Sequence, residues 1–469
     1  MPEKLSVVIL AAGRGKRMGS DMPKVLVESD EGPLLGLVLK TALFLNPSLI
    51  ALVTGHKREL TDAFVEAWKK KNSHQVVVSS VVQEQQFGTG HAVLQALPIL
   101  EKAHGPVLIL YGDVPLLSAE TLALLAQEHE KRKATISVLT ALTSRPHGYG
   151  RIIRKNGELA AIRESKDCSA EEQLIQEINT GIYLVDSSFL APALRGLKNE
   201  NSQKEYYLTD IVEKAVSEGQ RVCSLLAPDF RECIGVNTLE DLTEVNAILR
   251  SQRIAKFQRA GVTFCDPTSV NISCGVTIGT GTVIGPNVQI LGSSALGERV
   301  RIEGTALIQD STIGADTILK LGVRIESSIV GAHSTVGPFA HLRPETILAE
   351  EVKIGNFVEV KKSSLLKGSK VSHLSYIGDA EIGAEANIGA GTITCNYDGS
   401  SKFRTVVGEG AFIGSNTSLV APVEVGKGAT IGAGSVITKS VSEDALALTR
   451  AEQREIANWS KKKKRSKGS

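Results

Sequence analysis

The stretch that decides the fold is Tyr376-Ile-Gly-Asp-Ala-Glu-Ile-Gly-Ala-Glu-Ala-Asn-Ile-Gly-Ala-Gly391, in which an aliphatic residue followed by glycine returns at Ile377, Ile382 and Ile388. An amphipathic helix repeats its apolar positions every three to four residues and a half-buried strand every two, so a spacing of about six fits neither. The pair therefore indicates a repeat architecture. It recurs outside this stretch at Ile278, Ile284, Ile313, Val330, Val336, Ile354, Ile413, Val425 and Ile431.

A triangular coil with six residues on each side explains this spacing. The aliphatic residue points inward, the glycine accepts the tight corner, and three sides close a turn of about eighteen residues. Residues 262–441 then supply roughly ten turns, which at about 4.8 Å per turn form a prism about 45 to 50 Å long. The longest stretch without a match, Asn396–Arg404, is interpreted as an inserted loop. By itself the repeat predicts a scaffold, although loops on rigid scaffolds often carry function.

Composition predicts a soluble, cytoplasmic protein of roughly three domains. The chain has 469 residues, of which 42% are hydrophobic, and no apolar run long enough to cross a bilayer. Val7–Ala12 is too short for an anchor or a leader. The six cysteines form no CxxC pair and are expected to be reduced. A net charge of +2 gives no argument for nucleic-acid binding, and the basic run Lys461–Arg465 is interpreted as a solvated tail rather than a polyanion site.

The N-terminal segment has the composition of a phosphate-binding loop. Ser6–Leu10 is predicted to be a buried parallel strand, and Gly13 and Gly15 after it let backbone N–H groups approach a ligand. The loop matches neither a dinucleotide-binding loop nor a P-loop. An ordinary strand-to-helix turn with solvated basic residues remains the alternative. The cations available to a triphosphate are Arg14, Lys16, Arg17 and Lys24.

Alternating strand-like and helix-like segments predict an α/β domain with a mostly parallel sheet. The strand-like runs after the first are Leu49–Val53, Gln75–Val78 and Val107–Tyr111. Ligands of such sheets bind at the carboxyl ends of the strands. Asp113 follows the last run, where its carboxylate is a possible Mg²⁺ ligand, and a turn residue or a helix cap is the alternative.

Several polar segments offer hydrogen-bonding groups to a nucleotide sugar. Gln83 and the Gly88–His91 turn provide amide and backbone groups suited to a nucleobase edge, with His91 interpreted as a helix-start residue rather than a catalyst. The hydroxyl groups of a sugar also need hydrogen-bonding partners. Three further polar segments offer such groups: His147–Arg151, Arg163–Lys166 and Glu177–Gly181.

A long helix is predicted to separate two domains. Cys233–Val236 is strand-like and ends at Asn237, and Thr238 and Asp241 then have capping-box spacing. The helix should reach about Ala260, a length of roughly 33 Å. The predicted domains are residues 1–237, a linker helix 238–261, and residues 262–469. The apolar stripe of the helix comprises Leu239, Leu242, Val245, Ile248, Leu249 and Ile254.

Together these motifs resemble a known enzyme family. Leu10-Ala-Ala-Gly13-x-Gly15-x-Arg17-Met18 with Pro23-Lys24 is similar to the signature of sugar-phosphate nucleotidyltransferases. The family most closely resembled, nearly end to end, is that of the bacterial bifunctional N-acetylglucosamine-1-phosphate uridyltransferases and glucosamine-1-phosphate acetyltransferases. Lys16 and Phe87 depart from its usual threonine and leucine. The further matching motifs are Gly88-Thr-Gly-His, Tyr111-Gly-Asp, Gly148-Tyr-Gly-Arg, Glu177-Ile-Asn-Thr-Gly, His373-Leu-Ser-Tyr-Ile-Gly-Asp and Asn387-Ile-Gly-Ala-Gly-Thr-Ile-Thr-Cys-Asn-Tyr-Asp398.

For the first domain the resemblance implies a Rossmann-like α/β fold and Mg²⁺-dependent uridylyl transfer. UTP would react with N-acetylglucosamine 1-phosphate and release pyrophosphate, with Mg²⁺ held by Asp113 and Asn237. Because catalysis is mostly positioning and charge neutralisation, no protein nucleophile is needed. The positions implied to bind UTP or the UDP-sugar are Leu10, Ala11, Ala12, Gly13, Gly15, Arg17, Lys24, Gln83, Gly88, Thr89, Tyr111, Gly112, Asp113, Gly150, Glu164, Asn179 and Asn237.

For the second domain the resemblance implies a left-handed parallel β-helix of hexapeptide repeats that transfers acetyl from acetyl-CoA to glucosamine 1-phosphate. His373 would act as the base, since the attacking amine is mostly protonated at neutral pH, and a solvated surface histidine is the alternative. Glu359 is our own candidate for orienting His373. Glucosamine phosphate would contact Arg343, Lys361, Tyr376 and Asn387. Acetyl-CoA would contact Ala390, Asn396, Tyr397, Ser415, Ala433 and Arg450.

The resemblance also implies a homotrimer whose acetyl sites lie between neighbouring prisms, and a closed heterologous ring permits this geometry. Two other functions stay open on the sequence. One is a sugar-phosphate nucleotidyltransferase whose prism is regulatory and does not acetylate. The other is a catalytically inactive assembly subunit, against which the presence of Arg17, Lys24, Asp113 and Asn237 argues.

Overall fold

The computed structural model describes residues 5–13, 15, 18, 21–72, 76–100 and 105–460. It divides the chain into two compact units, Met1–Leu249 and Arg250–Ser469. The division falls inside the helix Leu239–Arg259. No helix in these described ranges is both long and apolar enough to cross a membrane.

The first unit is an α/β domain whose described strands form one nine-stranded sheet and a separate two-stranded hairpin. Its strands are β1 (Ser6–Leu10), β2 (Glu28–Ser29), β3 (Gly32–Pro33), β4 (Leu49–Thr54), β5 (Val77–Val82), β6 (Pro106–Tyr111), β7 (Ile136–Leu142), β8 (Arg151–Lys155), β9 (Glu158–Arg163), β10 (Glu177–Asp186) and β11 (Val222–Leu226). Its helices are α1 (Leu34–Phe44), α2 (Arg58–Lys71), α3 (Thr89–Leu100), α4 (Ala119–Arg132), α5 (Ser187–Arg195), α6 (Asp210–Ser217) and α7 (Leu239–Arg259), with 3-10 turns at Lys24–Leu26, Glu172–Leu174 and Phe230–Cys233.

The strand order confirms the mostly parallel sheet. The main path runs β11-β7-β10-β6-β1-β4-β5, with β8 and β9 as a hairpin beside β10. Strands β6, β1, β4 and β5 are parallel to one another, as are β11 and β7. Only β10 on this path runs antiparallel to its neighbours. The carboxyl ends of β1, β4, β5 and β6 therefore meet at one edge of the sheet.

Strand β1 shows why this unit has three layers. All five of its residues are buried, and successive side chains face opposite sides of the sheet. Val7 and Ile9 pack in the core beneath α1 and α4, whereas Val8 and Leu10 pack in the core beneath α3, α5 and α6. Because both faces of the sheet are covered at β1, nearly every side chain of this strand must be apolar, and the strand is therefore a continuous apolar run.

The segment before α7 differs from the prediction. Cys233–Val236 is not a strand, because the chain forms a 3-10 turn to Cys233 and the Val236 N–H then donates to the Asp113 carbonyl (2.9 Å) outside the sheet ladder. The capping box is confirmed, since Asp241 N–H donates to Thr238 Oγ1 (3.2 Å) and Thr238 N–H to Asp241 Oδ2 (2.9 Å). Leu239 does not join the apolar stripe, because its side chain is 58% exposed.

The second unit is the predicted prism. In the described residues it has three parallel sheets of eleven, ten and nine strands, which matches roughly ten turns. We call these the first, second and third prism sheets. The first comprises Thr263–Phe264, Val283–Ile284, Arg301–Ile302, Ile318–Leu319, Thr335–Val336, Lys353–Asn356, Lys370–His373, Asn387–Ile388, Phe412–Ile413, Thr430–Ile431 and Leu446–Ala447. The second comprises Asn271–Ile272, Val288–Leu291, Ala306–Gln309, Arg324–Glu326, His341–Leu342, Glu359–Lys361, Tyr376–Gly378, Ile393–Cys395, Ser418–Val420 and Val436–Ile437. The third comprises Thr277–Ile278, Ala295–Leu296, Thr312–Ile313, Ile329–Val330, Ile347–Leu348, Ser364–Leu365, Ala380–Ile382, Thr405–Val407 and Val423–Val425.

The Ile-Gly pairs fill the prism core, but the glycine has a different role from the predicted one. Ile377 and Ile382 are fully buried, as expected for inward-facing residues. The glycine after the aliphatic residue does not make the corner. A Cβ at Gly389 would lie 2.6 Å from the Ile413 carbonyl oxygen of the next coil, so glycine is needed for close stacking of backbones. Left-handed conformations occur further along, as at Glu385 (φ 55°).

The predicted loop at 396–404 is confirmed. Ser364 pairs with Glu381 across one coil, whereas Ala380 pairs with Thr405 across the next, which makes that coil about eight residues longer. The insertion is itself ordered, because Tyr397 and Lys402 form an antiparallel bridge. It leaves the prism after the strand Ile393–Cys395 of the second sheet and re-enters it at Thr405–Val407 of the third, and both ladders continue past it.

Candidate functional site

The first unit gathers its predicted residues at the edge where the parallel strands end. The Gly112 N–H donates to the Leu10 carbonyl (2.9 Å), which places the turn after β6 beside the loop after β1. The Gln83 N–H donates to the Thr54 carbonyl (2.8 Å), which brings the segment after β5 to the same edge. Parallel pairing alone therefore assembles groups that are far apart in the chain.

A cavity of about 400 Å³ opens at this edge. Of the predicted nucleotide residues, Ala11 is buried in the core and Gly15, in a left-handed conformation, packs against Lys24. Arg17, with Arg14 and Lys16, lies outside the described residues. Val25, Gln86, Ala92 and Glu205 also line the cavity and were not predicted. The predicted residues that line it are Leu10, Ala12, Gly13, Lys24, Gln83, Gly88, Thr89, Tyr111, Asp113 and Asn237.

The two predicted metal ligands converge on one cation, the ammonium group of Lys24. This group forms an ion pair with Asp113 Oδ2 and donates to Asn237 Oδ1 at 2.6 Å. The ammonium group stands in for a metal ion, so the site already holds positive charge between a carboxylate and an amide oxygen. These are ligands that Mg²⁺ prefers when it keeps several waters or phosphate oxygens. No group of three or more His, Cys, Asp or Glu side chains in the described ranges forms a separate metal cluster.

A second cavity of about 240 Å³ adjoins the first and is lined by Gly150, Glu164 and Asn179. It shares Tyr111 and Asp113, among others, with the first cavity. The three predicted sugar positions are thus brought together next to the metal-ligand pair. Their polar groups can bind hydroxyls of a hexose beside a nucleoside phosphate.

Burial sets the protonation of the side chains in this second cavity. The pKa of the Tyr111 hydroxyl is raised by desolvation, and a Cβ at Gly181 would lie 2.5 Å from its ring, so only glycine fits there. Desolvation also raises the pKa of Glu164, whose Oε1 accepts from the Thr209 hydroxyl at 3.3 Å. Tyr111 can therefore donate and accept hydrogen bonds as a neutral group.

In the second unit, the outer face of the second prism sheet carries most of the predicted sugar-phosphate residues. Glu359 pairs in register with Tyr376, and side chains two positions apart on a strand share a face. Lys361 therefore lies on the same outer face as both. Arg343, just after the strand His341–Leu342, donates from Nη1 to Glu359 Oε1 at 2.7 Å. Asn387 instead lies on the first prism sheet, in register with Lys370.

One corner of the prism lines up His373 with four predicted acetyl-CoA residues. The Gly391 N–H donates to the His373 carbonyl (3.3 Å), and the Asn416 N–H to the Ala390 carbonyl (2.7 Å). The Gly434 N–H then donates to the Ser415 carbonyl (2.7 Å). A Cβ at Gly432 would lie 3.6 Å from the Arg450 guanidinium, which brings Arg450 to the same column. The aligned residues are His373, Ala390, Ser415, Ala433 and Arg450.

Asn396 and Tyr397 lie at the next corner, beyond the second prism sheet. The Asn396 side chain is buried and its amide donates to Asp379, so it holds the base of the inserted loop. Tyr397 is 59% exposed, and its hydroxyl donates to the Gly399 carbonyl at 2.6 Å. Within one chain these two residues are separated from His373 by the strand Ile393–Cys395.

The loop also supplies a cation that sequence reasoning missed. The charge of Lys402, followed by that of Arg343, lowers the pKa of Lys361. Three cations therefore meet at the edge of the second prism sheet, an arrangement suited to a phosphate group. The sequence predicted a functional loop at this position. The basic side chain of Lys402 within that loop was the signal that could have identified the third cation.

The structure gives Glu359 a different partner from the predicted one. Glu359 is bonded to Arg343, and no hydrogen bond or ion pair joins it to His373 within the described part of the chain. His373 itself is exposed at its corner. The geometry therefore supports a role for Glu359 in holding Arg343.

Comparison with known proteins identifies three matching domain families. Residues 7–203 match the MobA-like NTP transferase domain, and residues 267–356 match the GMPPB C-terminal domain. Residues 404–439 match the bacterial transferase hexapeptide family of six repeats. The first match covers most of the α/β unit and the other two fall in the prism.

Curated relatives match nearly the whole chain. The Bifunctional protein GlmU of Geotalea uraniireducens (strain Rf4) is 44% identical over 461 residues, covering 98% of this chain and 99% of that protein. The protein of the same name from Acinetobacter baumannii (strain AYE) is 46% identical over 462 residues, with the same coverage. That from Carboxydothermus hydrogenoformans is 44% identical over 447 residues, covering 95% and 98%.

Proposed function

Because this chain belongs to the family of the Bifunctional protein GlmU, we propose how its residues divide two reactions between the two units. The chain is a bifunctional enzyme of UDP-N-acetylglucosamine synthesis. It acetylates glucosamine 1-phosphate and then transfers a uridylyl group to the N-acetylated product. The observation that carries this function is that a bifunctional relative is 44% identical over 98% of this chain. The match therefore spans both units.

We assign uridylyl transfer to residues 1–237, acetyl transfer to residues 262–469, and the connection to helix 238–261. In the first site an oxygen of the sugar phosphate attacks the α-phosphorus of UTP. The bond to the β-phosphate breaks and pyrophosphate leaves. Lys24 and Arg17 neutralise phosphate charge, Gln83, Gly88 and Thr89 surround uracil, and the chain needs only to position the reactants.

The remaining nucleotide and sugar contacts follow the two cavities. The loop residues Leu10, Ala11, Ala12, Gly13 and Gly15 are assigned to the triphosphate. The cavity at the strand ends supports Leu10, Ala12 and Gly13, whereas Ala11 and Gly15 rest on the family resemblance. The sugar is assigned to Tyr111, Gly112, Gly150, Glu164 and Asn179. All of these except Gly112 line the adjoining cavity, and Gly112 follows Tyr111 in the turn after β6.

Asp113 and Asn237 are proposed to hold Mg²⁺. Nucleotidyl transfer in this family uses a divalent ion, and the two oxygen ligands fit Mg²⁺, which prefers few protein ligands and keeps waters. The bound ion would offset the charge of the triphosphate. Support comes from the convergence of both side chains on the Lys24 ammonium group.

In the second site His373 is proposed to take the proton as the amine of glucosamine 1-phosphate attacks the thioester carbon of acetyl-CoA. The carbon–sulfur bond breaks, and coenzyme A leaves with the proton. Histidine suits this step because its ordinary pKa lies near neutral pH. Arg343, Lys361 and Lys402 would bind the phosphate, with Tyr376 and Asn387 on the sugar.

Acetyl-CoA is proposed to lie along the prism corner that carries Ala390, Ser415, Ala433 and Arg450. Asn396 and Tyr397 would complete its site from the loop of a neighbouring chain. Their position beyond the second prism sheet supports a shared site, and hence a homotrimer. The closed heterologous ring is the simplest assembly in which one corner always meets the next loop.

We also propose a cytoplasmic location, because UTP and acetyl-CoA are intracellular metabolites and all six cysteines are unpaired. The substrates are small molecules. No nucleic-acid or membrane partner is proposed.

One assay tests both activities. Purified enzyme is mixed with glucosamine 1-phosphate, acetyl-CoA, UTP and Mg²⁺, and free thiol and pyrophosphate are followed separately. Release of both products is the expected result. Pyrophosphate that appears only with pre-acetylated sugar would instead support a nucleotidyltransferase with a regulatory, non-acetylating prism.

The variant Asp113→Ala tests whether the two sites are independent. Loss of a carboxylate from the metal site should lower uridylyl transfer by about 100-fold or more, because ligand loss costs at least as much as the 10- to 100-fold typical of outer-shell changes. Thiol release in the acetyl assay should stay at the parent rate. Loss of both activities together would contradict the two-site assignment.

A further inference from the structure

The amide group of Gln83 is held in one orientation by the residues around it. Gln83 is only 5% exposed, and its Nε2 atom lies 3.1 Å from the Gly88 carbonyl oxygen. A carbonyl oxygen can only accept a hydrogen bond, so the atom facing it must be the amide nitrogen. The same nitrogen lies 3.1 Å from His91 Nδ1.

His91 Nδ1 must therefore accept the second amide hydrogen. This requires a neutral ring with its proton on Nε2. Burial lowers the pKa of His91, which favours the neutral ring at neutral pH. The backbone of Gln85 and the side chain of Gln95 surround the ring as further hydrogen-bonding partners.

A second amide, that of Gln95, also contacts the His91 ring. Gln95 Nε2 lies 3.1 Å from His91 Nε2 and 3.3 Å from the His91 carbonyl oxygen. A neutral imidazole accepts at one nitrogen only, so one of the two amides must turn its oxygen to the ring. Gln95 is half-buried, and its Nε2 atom lies 3.3 Å from the His91 carbonyl oxygen. Gln83 is buried, and its Nε2 atom lies closer, at 3.1 Å, to the Gly88 carbonyl oxygen. We therefore assign the turned amide to Gln95.

The segment that carries both residues is held firmly in place. The Gly90 N–H donates to the Tyr206 carbonyl (2.8 Å), and the Tyr206 N–H donates to the Phe87 carbonyl (2.7 Å). The ring of Phe87 packs edge-on to His91 with centroids 5.4 Å apart, and that of Tyr206 lies 6.3 Å away. The imidazole thus has little room to turn over.

From this geometry we infer that His91 is a positioning residue that fixes the Gln83 amide with its oxygen toward the nucleotide cavity, and thereby selects uracil over cytosine. The inference rests on the proposed function, in which uracil lies beside Gln83. Uracil presents N3–H, a donor that the Gln83 oxygen can accept. Cytosine presents an unprotonated N3 at the same place, where two acceptors would face each other.

The test compares three nucleotides in parent enzyme and in His91→Leu and His91→Asn. Pyrophosphate release is measured with UTP, CTP and 5-methyl-UTP, which has the same N3–H as UTP. His91→Leu removes the acceptor and should lower the ratio of kcat/KM for UTP to that for CTP by about tenfold, the value of one hydrogen bond at the upper end of its range. The ratio of UTP to 5-methyl-UTP should not change.

His91→Asn offers a side-chain oxygen near the position of Nδ1 and should restore most of the UTP to CTP ratio. Equal losses with all three nucleotides in His91→Leu would overturn the inference, because they indicate a merely structural role. So would an unchanged UTP to CTP ratio in both variants. Acetyl transfer by the same preparations shows that the prism has folded, and the pyrophosphate release retained with UTP shows that the α/β unit has folded. Parent enzyme that fails to use UTP would contradict the proposed function instead.

Discussion

Lys24 shows how one side chain can take part in two states of the nucleotide site. Its ammonium group contacts Asp113 and lies 2.6 Å from Asn237 Oδ1. A divalent ion and the ammonium group cannot both occupy the space between these oxygens. We expect metal and nucleotide to arrive together, with Lys24 moving from the carboxylate to a phosphate.

The variant Lys24→Met should bind Mn²⁺ more tightly in the absence of nucleotide, by about tenfold, because a competing positive charge is removed from Asp113. Uridylyl transfer should become slower, since the phosphate loses a cation. Binding of free Mn²⁺ can be followed by electron paramagnetic resonance. Lys214→Met, which removes a surface partner of Glu218, is the control. Unchanged or weaker Mn²⁺ binding in Lys24→Met would contradict the exchange.

On the prism, the carboxylate of Glu326 is held by two basic neighbours. Hydrogen bonds from Arg324 and then His341, each 2.8 Å long, lower its pKa from 4.5 to about 2. A carboxyl whose folded pKa is lowered adds stability above its unfolded pKa, and that stability is lost as the pH falls from about 4.5 to about 2. Glu326→Gln should therefore flatten this part of the curve of Tm against pH.

The expected change in Tm is about 2 °C at neutral pH, because the pair is partly exposed to solvent. Circular dichroism of the prism strands during heating measures it. Glu303→Gln removes an exposed carboxylate from the same prism and is the matched control. Identical pH profiles in both variants would rule out the contribution of Glu326.

The base of the inserted loop is held by a partly buried contact between Asn396 and Asp379. Asn396 donates to Asp379, and the Phe403 N–H returns to the Asn396 carbonyl at 2.8 Å. Asp379 is also tied to the coil beneath, because its N–H donates to the Lys361 carbonyl at 3.1 Å. Lys402 thus reaches Lys361 from a loop fixed at its base.

Asp379→Ala should free the loop and raise the KM for glucosamine 1-phosphate by about tenfold, since one partly buried, charge-assisted hydrogen bond is lost. Trypsin should cut faster after Lys402, and uridylyl transfer should be unchanged. Asp310→Ala is the matched control, because Asp310 has the same left-handed backbone (φ 46° against 47°) far from the loop. Equal KM values in the two variants would show that the loop is held by other contacts.

The elements also show what the sequence can and cannot predict. A six-residue period is local, so the prism, its number of turns and the loop at 396–404 were predicted correctly. The role of Gly389 was not, because its reason is the Ile413 carbonyl of the next coil, 2.6 Å from a Cβ. Cys233–Val236 resembled a strand, but its partner is the turn at Asp113. Lys402 and the Arg343–Glu359 bond depend on contacts between coils, which spacing along the chain does not show.

At the scale of the whole molecule, one corner of the prism exposes a row of apolar side chains. Leu321, Phe339, Phe357 and Leu374 are 44% to 63% exposed, and the rings of Phe339 and Phe357 stack with centroids 5.6 Å apart. Large exposed apolar groups in a row are typical of association surfaces. They support the proposed trimer, in which each acetyl site takes residues from two chains.

Phe339→Asp should dissociate the trimer, because a buried charge without a partner is costly at an interface. Acetyl transfer should fall by about 100-fold or more, as expected when two halves of a site separate. Uridylyl transfer should persist. Sedimentation velocity gives the oligomeric state, and Thr312→Asp, at an exposed position of the third prism sheet, which does not border this corner, is the control. A monomer that still acetylates would contradict the shared site.

The three prism sheets end at different points of the last coil: the second at Ile437, the third at the single Val425–Val441 bridge and the first at Ala447. In a stacked array each coil is stabilised by its neighbours, so such a staggered end is the part that opens first. Ser415, Ala433 and Arg450 belong to these last coils. A single molecule of acetyl-CoA bound along their corner would contact several coils at once and stabilise them against opening. The co-substrate should therefore protect this end against hydrogen exchange, and warming should impair acetyl transfer well before the prism unfolds.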